Sequence, residues 1–266
     1  MSKHGSARVV LAGAAIAATA ALAGCGGVPN GTKPDVPGEN AAGTAAAAAT
    51  SRLSSTAPLT ARQSAIAAKS FAKANSIPFP VAVGNTWVYQ TQSGGQTGRT
   101  TNRVVGAGPG SAGFRVTVSS TTDIGGSAST VVPVYTFYPD GTIGYPVPSV
   151  SGVPGTGSDI RWPDAAGLAS GKVYHSVLHV QGRSADVTVQ GTGTTSISVP
   201  AGTYRASVVK TTIAAQGQTV EVTIWIAQGT GPVKIQVLVR APGGTGLTTN
   251  ELLSFTKAVS AIGDGS

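Results

Sequence analysis

The chain has 266 residues, of which 41% are apolar, 11% charged and 5% aromatic, and it contains 37 glycines, 16 prolines and one cysteine. This composition excludes a coiled coil, a collagen and a disulfide-rich scaffold, and no apolar run reaches the ~20 residues of a membrane-spanning helix. The formal net charge is +8 at pH 7, but no window concentrates Lys and Arg, so a nucleic-acid partner is not expected.

The first 24 residues resemble an export signal. Lys3 and Arg8 lie in a short basic region without acids, and residues 9–23 are apolar. A helix of that length would span about 22 Å, which is short of the ~30 Å hydrocarbon core of a membrane. The pattern therefore predicts a cleaved secretory signal rather than a permanent anchor.

The end of this signal, Leu22-Ala23-Gly24-Cys25, resembles the lipobox of bacterial lipoproteins. The resemblance implies that a signal peptidase recognises Leu22, Ala23 and Gly24 and that the Cys25 thiol carries a thioether-linked lipid. Sec-type export would then leave the protein in the cell envelope, with the membrane as a partner through this lipid. The alternative is an accidental cysteine near an ordinary cleavage site, but Cys25 is the only cysteine in the chain.

The chain after Cys25 divides into four predicted segments. Residues 25–58 are rich in Gly, Pro, Ala, Thr and Ser and predict a disordered tether, which would average roughly 30 Å from end to end. For residues 59–78 we predict one short helix and the segment that connects it to the next domain. For residues 259–266 we predict a flexible tail.

Residues 79–258 predict an all-β domain, because apolar and polar residues alternate in short segments that are separated by turn residues. We expect a single curved antiparallel sheet, as a sandwich or a half-open barrel. About eleven strands are predicted, at residues 86–90, 114–120, 131–138, 142–145, 172–180, 185–190, 196–199, 204–214, 219–226, 233–240 and 247–256.

Three motifs of this domain together resemble a group of secreted bacterial lipoproteins of unknown function that are sometimes called TapB-like. They lie at residues 84–89 (Gly-Asn-Thr-Trp-Val-Tyr), at residues 199–204 together with 208–211, and at residues 225–234. The resemblance implies a β-rich envelope domain without assigned catalytic residues. A looser likeness, in architecture only, is to the half-open barrels of periplasmic lipoprotein carriers.

The residues that could support catalysis or metal binding are dispersed. His175 and His179 lie four residues apart on one face of a predicted strand. At about 3.3 Å per residue their rings are about 13 Å apart, too far to share a zinc ion. Gly108, Gly110 and Gly113 match the Gly-x-Gly-x-x-Gly pattern, but a strand follows them where a nucleotide site requires a helix. We therefore expect no metal, no nucleotide, no other cofactor and no enzymatic activity.

Four residues are candidates for contacting a ligand. Trp225 and Glu221 fall on the polar face of a strand whose other face is apolar, and an amphipathic indole there suits an open binding surface. The alternative is that the predicted helix, or the Pro/Gly-rich loop predicted at residues 146–171, covers Trp225. Trp87 and Tyr89 share one face of another strand, where core packing is the alternative role.

The resulting hypothesis is a membrane-anchored envelope lipoprotein that acts as a non-catalytic interaction module for an envelope protein or the cell wall. The alternative is a carrier that encloses a hydrophobic ligand, such as a lipid, in its curved sheet. An envelope hydrolase is the third possibility, and it requires His175 or His179 to meet an acid and a serine in a cleft.

Overall fold

The structure is a computed structural model that describes residues 80–145, 156–157, 160–180, 183–215 and 217–258. One short helix, α1, lies at Ala165–Ala169. The strands are β1 (Thr86–Ser93), β2 (Gln96–Pro109), β3 (Phe114–Ile124), β4 (Ser127–Val131), β5 (Val134–Phe137), β6 (Ile143–Tyr145), β7 (Thr156–Gly157), β8 (Ile160–Trp162), β9 (Val173–Val180), β10 (Arg183–Val199), β11 (Gly202–Ala215), β12 (Gln218–Ala227), β13 (Gly231–Ala241) and β14 (Gly244–Thr256).

All fourteen strands belong to one antiparallel sheet in the order β7-β9-β10-β11-β12-β13-β14-β1-β2-β3-β5-β6-β8, with β4 paired to β3 outside this path. The two ends of the path are the consecutive strands β7 and β8, and β8 also contacts β9. The sheet therefore curves into a nearly closed barrel. This confirms the all-β fold with a single curved antiparallel sheet.

The core lies on the inner face of this barrel, where the strands place every second side chain. Along β12, Val220, Val222, Ile224 and Ile226 are buried, while the residues between them are partly exposed. Burial of these apolar rows is the main force that curves and closes the sheet, because each row leaves water only when it meets the opposite wall. The largest fully buried side chains are Trp87, Tyr89, Phe137, Leu178, Ile224 and Leu252.

A cluster around Arg161 ties the short strand β8 to the β5–β6 hairpin. The Arg161 guanidinium lies 3.2 Å from the centroid of the Tyr138 ring, and its Nη1 donates a 2.7 Å hydrogen bond to Thr142 Oγ1. Asp140 is the fourth member of the cluster and forms an ion pair with Arg161, in which Asp140 Oδ2 lies 3.8 Å from Arg161 Nη1. Desolvation raises the pKa of Asp140, but hydrogen bonds from Thr142 and the charge of Arg161 outweigh it and lower this pKa below its ordinary value.

The structure differs from the prediction in the number of strands. The prediction omitted β2 and β4, and residues 146–171, expected to be a loop, contribute β7, β8 and α1. The two short strands predicted at 185–190 and 196–199 form one long strand, β10, which has a register irregularity between Gly191 and Thr194. A bulge interrupts the alternation of side chains without ending the strand, which explains the split prediction.

Several predicted features fall outside the described residues. They are the signal with Leu22, Ala23, Gly24 and Cys25, the tether, the N-terminal helix and the tail at 259–266. These features remain predictions from the sequence.

Candidate functional site

The three motifs that resemble the TapB-like group meet in space. The indole Nε1 of Trp87 donates to the carbonyl oxygen of Thr230 at 2.6 Å, and the hydroxyl of Tyr89 donates to the carbonyl oxygen of Pro232 at 2.9 Å. The second motif meets the third because Val208 on β11 pairs in register with Trp225 on β12. The motifs therefore join strand ends that are distant in sequence, which gives them a structural role.

Trp87 and Tyr89 lie in the core, each with 1% of its surface exposed. The Trp87 ring also stacks on Phe255, with 5.1 Å between the ring centroids. Burial raises the pKa of the Tyr89 phenol far above its ordinary value, and the nearby Tyr135 adds to the shift. Neither side chain offers a surface to a ligand outside the barrel.

Trp225 occupies the opposite, outer face of the sheet, in agreement with the alternation of β12. It is partly exposed and lies directly across from Val208 on β11 and Lys234 on β13. The Lys234 ammonium nitrogen is 5.7 Å from the centroid of the Trp225 ring, within the range of a cation–π contact. Of the three tryptophans, Trp87 and Trp162 are buried, and only Trp225 reaches the surface.

One ion pair lies beside this indole. Lys234 Nζ donates a 2.7 Å hydrogen bond to Glu251 Oε1, and these two side chains are only 18% and 30% exposed. We call the row Val208, Trp225, Lys234 and Glu251 the Trp225 surface. It crosses β11, β12, β13 and β14 at right angles to the strands.

Glu221 lies on the same face of β12 as Trp225, four residues before it, and forms ion pairs with two cations. Lys210 Nζ lies 2.9 Å from Glu221 Oε2, and Arg240 Nη1 donates to Glu221 Oε1. Hydrogen bonds from Lys210 and Arg240 outweigh partial desolvation and hold the pKa of Glu221 below its ordinary value. Glu221 is thus committed to a cross-strand ion-pair network beside the Trp225 surface.

The sequence indicated Trp225 and Glu221 but not Lys210, Lys234, Arg240 or Glu251. These four became neighbours only through the register of β11–β14, in which Lys234 pairs with Glu251 and Glu221 lies near Arg240. Alternation along a single strand separates its two faces, but it does not show which charges on neighbouring strands lie side by side.

The histidines lie where the alternation placed them, on the exposed face of β9. His179 Nδ1 is 3.0 Å from Ser184 Oγ, and His175 pairs in register with Thr188. Among the described residues no group of three His, Cys, Asp or Glu side chains could hold a metal ion. The Ser184–His179 contact lies on an exposed strand surface rather than in a cleft.

The glycine pattern at residues 108–113 forms the hairpin between β2 and β3. The N–H of Gly110 donates to the carbonyl oxygen of Gly113 at 2.7 Å, and β3 begins at the next residue. A strand therefore follows the loop, as predicted. Gly113 packs so closely against Phe137 that a Cβ there would overlap the Phe137 carbonyl oxygen.

Two solved structures resemble this fold. One is titled a "putative lipoprotein" from Parabacteroides distasonis, with 17% identity and a TM-score of 0.49 over 67% of this chain and 98% of that chain. The other is a "putative exported protein with YmcC-like fold" from Bacteroides fragilis. It has 18% identity and a TM-score of 0.44, and the match likewise covers 67% of this chain and 98% of that chain.

No family model and no curated protein matches the chain. The TapB-like resemblance thus stays a resemblance carried by three motifs. In the part of the chain that the structure describes, no helix combines the length and apolarity needed to cross a membrane.

Proposed function

We propose that this protein is a lipid-anchored cell-envelope module that acts by binding, without catalysis, through the Trp225 surface. The anchor rests on the Leu22–Cys25 motif, and the flexible tether that follows it would hold the domain at an average distance of roughly 30 Å from the lipid. The partner class is the cell wall or an envelope protein.

The observation that carries this proposal is the placement of Trp225. Large aromatic side chains are usually buried in a β domain, as Trp87 and Trp162 are here. A partly exposed indole that is flanked by a fixed ion pair combines an apolar contact with hydrogen-bonding groups. Tryptophan is also among the residues that dominate the energy of binding interfaces.

The carrier remains the second candidate, and burial counts against it. The inward-facing apolar side chains of β12 and β13 are nearly inaccessible, with Val222 and Ile224 1% exposed and Ile235 and Val237 3% exposed. A carrier needs inner walls that a ligand can reach. A filled interior favours a module that binds on its outside.

Sedimentation with purified cell walls tests the proposal on the full mature chain. We expect wild type to co-sediment and Trp225→Ala to bind about thirtyfold more weakly, the effect of losing a contact worth about 2 kcal/mol. The control is Val131→Ala, which truncates an exposed apolar side chain on the distant strand β4 and should bind like wild type.

Thermal unfolding and native mass spectrometry complete the test. Unchanged binding by Trp225→Ala together with a large loss of stability would assign Trp225 a packing role and contradict the proposal. Lipid retained by the native wild-type domain would favour the carrier instead.

A further inference from the structure

The chain enters and leaves the barrel at the same end. Thr86, the first residue of β1, pairs with Thr256, the last residue of β14. Next to this pair, the N–H of Ala258 donates to Asn85 Oδ1 at 2.8 Å. We call this end of the barrel the entry end. The predicted lipid on Cys25 would be attached through it, because the chain that follows Cys25 reaches the barrel here.

Two apolar side chains are exposed at the entry end. Val83 is 54% exposed and Val105 is 36% exposed. The residues that adjoin them are joined by a hydrogen bond, in which the N–H of Gly84 donates to the carbonyl oxygen of Val104 at 2.8 Å. The two valines therefore offer apolar surface beside the point where the chain arrives.

Two exposed cations flank the same point. Arg103 on β2 lies directly across from Thr86, and Lys257 follows β14 on the other side of β1. Neither forms an ion pair within the part of the chain that the structure describes. The entry surface, as we call it, consists of Val83, Arg103, Val105 and Lys257.

The other charges at the entry end leave an excess of positive charge. Arg115, near the start of β3, and Arg205, beside the last pair of β11 and β12, are exposed and form no ion pair with another described residue. Two acids lie at the same end, and both have partners. Asp140 forms an ion pair with Arg161, and Asp164 accepts a 2.8 Å hydrogen bond from the backbone of α1.

The chain that arrives at the entry end is also basic. Residues 40–122 contain seven Lys or Arg and no Asp or Glu, and Arg62, Lys69 and Lys73 fall in the segment 59–78 that precedes the described domain. The tail at residues 259–266, which leaves at this end, carries one acid, Asp264. Positive charge combined with exposed apolar side chains is the chemistry that binds an anionic membrane surface.

We propose that the entry surface lies against anionic lipid headgroups and orients the barrel on the membrane. This inference rests on the lipid anchor of the proposed function, since that anchor places the membrane beside the entry end. Arg103 and Lys257 contact lipid phosphates, and the two valines contact the interface. A weak contact is sufficient, because a flexible tether raises the effective concentration of the membrane at the domain to about the millimolar range.

The entry surface leaves the Trp225 surface accessible. The row of side chains that crosses the Trp225 surface continues to Gln90 on β1, four residues after Thr86. At about 3.3 Å per residue, this row meets β1 about 13 Å from the entry end. The domain can therefore rest on the membrane and bind an envelope partner at the same time.

Co-sedimentation of the mature Cys25→Ser chain with vesicles tests the contact without the lipid. This chain should bind phosphatidylglycerol vesicles but not phosphatidylcholine vesicles. Arg103→Gln should weaken binding about fivefold, the effect of one cation near an anionic surface. The matched control is Arg99→Gln, on the same exposed face of β2 and about 13 Å along the strand. That distance exceeds the Debye length of about 8 Å, so Arg99→Gln should bind like the parent chain.

Two results of this experiment would overturn the proposal. One is equal weakening by Arg103→Gln and Arg99→Gln, which would mean attraction by net charge alone. The other is an unlipidated chain that does not bind phosphatidylglycerol. Sedimentation with cell walls separates these failures from a failure of the proposed function, because Arg103→Gln should leave wall binding unchanged. Loss of wall binding in Arg103→Gln would assign the entry surface to an anionic wall polymer instead.

The lipidated chain reports the orientation. With Cys25 lipidated, Val83→Cys or Leu247→Cys introduces the only free thiol, which can carry a fluorophore. Leu247 is the control, because it is 52% exposed and lies near the opposite end of β14. In phosphatidylglycerol vesicles, a quencher on the lipid headgroups should quench the label at position 83 and not the label at position 247. Equal quenching, or no quenching at position 83, would contradict the orientation.

Discussion

The indole nitrogen of Trp87 donates a hydrogen bond to the carbonyl oxygen of Thr230, which lies 143 residues further along the chain. Thr230 belongs to the turn between β12 and β13, and Gly231 beside it has a φ of +86°. A Cβ at Gly231 would lie 3.5 Å from the same indole nitrogen. This turn therefore packs directly against β1, which explains the large aromatic in the first motif and the glycine at this position in the third.

The hydrogen bond from Tyr89 to Pro232 should make a measurable contribution to stability. Tyr89→Phe removes the hydroxyl and leaves the buried Pro232 carbonyl oxygen without this donor, at a cost of about 1–3 kcal/mol. Chemical denaturation of the full chain measures this loss. Tyr204→Phe is the control, because the Tyr204 hydroxyl makes a long, 3.4 Å hydrogen bond at a partly buried site. Equal losses in the two variants would contradict the assignment.

The sequence predicted strands best where the inner face is apolar. β12 and β13 alternate Val and Ile with polar residues, and both were located within two residues of their ends. β2 was missed for the opposite reason. Its inward residues include Thr100 and Asn102, so the contrast between its two faces is weak.

The candidate site was predictable only in part. Alternation placed Trp225 on the outer face of β12, because that inference needs only one strand. Its neighbours Lys234 and Glu251 depend on the register between three strands, which core packing and turn geometry set. The alternation within one strand does not reveal that register.

Lipidation should depend on Cys25. Cys25→Ser should abolish incorporation of a fatty-acid analogue during metabolic labelling, because the chain has no other thiol. Thr44→Ser in the predicted tether is the control and should label like wild type. Label that persists in Cys25→Ser would contradict the lipoprotein assignment.

Two glycines of the β2–β3 hairpin should respond differently to the same substitution. Gly113→Ala places a Cβ against the Phe137 carbonyl oxygen, and relieving such an overlap costs about 1–3 kcal/mol. Gly108→Ala meets no atom within 4 Å and should change the free energy of unfolding by less than about 0.5 kcal/mol. Urea unfolding of both variants measures the contrast. Equal effects would contradict the close approach of the hairpin to β5.

The ion pairs of Glu221 should make part of the stability depend on pH. Lys210 and Arg240 lower the pKa of Glu221 in the folded protein, so the folded state binds a proton less readily than the unfolded chain does. The resulting stabilisation is present above the ordinary glutamate pKa of about 4.3 and is lost as pH falls through the lower, folded value. Glu221→Gln should therefore destabilise the protein at pH 7, by less than about 1 kcal/mol for such exposed pairs.

Urea unfolding of wild type and Glu221→Gln at pH 7 and at successively lower pH measures this dependence. The difference between the two proteins should shrink once the pH falls below about 4, because the wild-type carboxyl then takes up its proton. It should also shrink in 1 M salt at pH 7, since Lys210 and Arg240 are about half exposed and their attraction to Glu221 is screened. Thr223→Ala, on the same face of β12, has no ionisable group and should differ from wild type by the same amount at every pH. A Glu221→Gln difference that stays constant with pH would mean that the carboxylate adds nothing beyond the packing of its side chain.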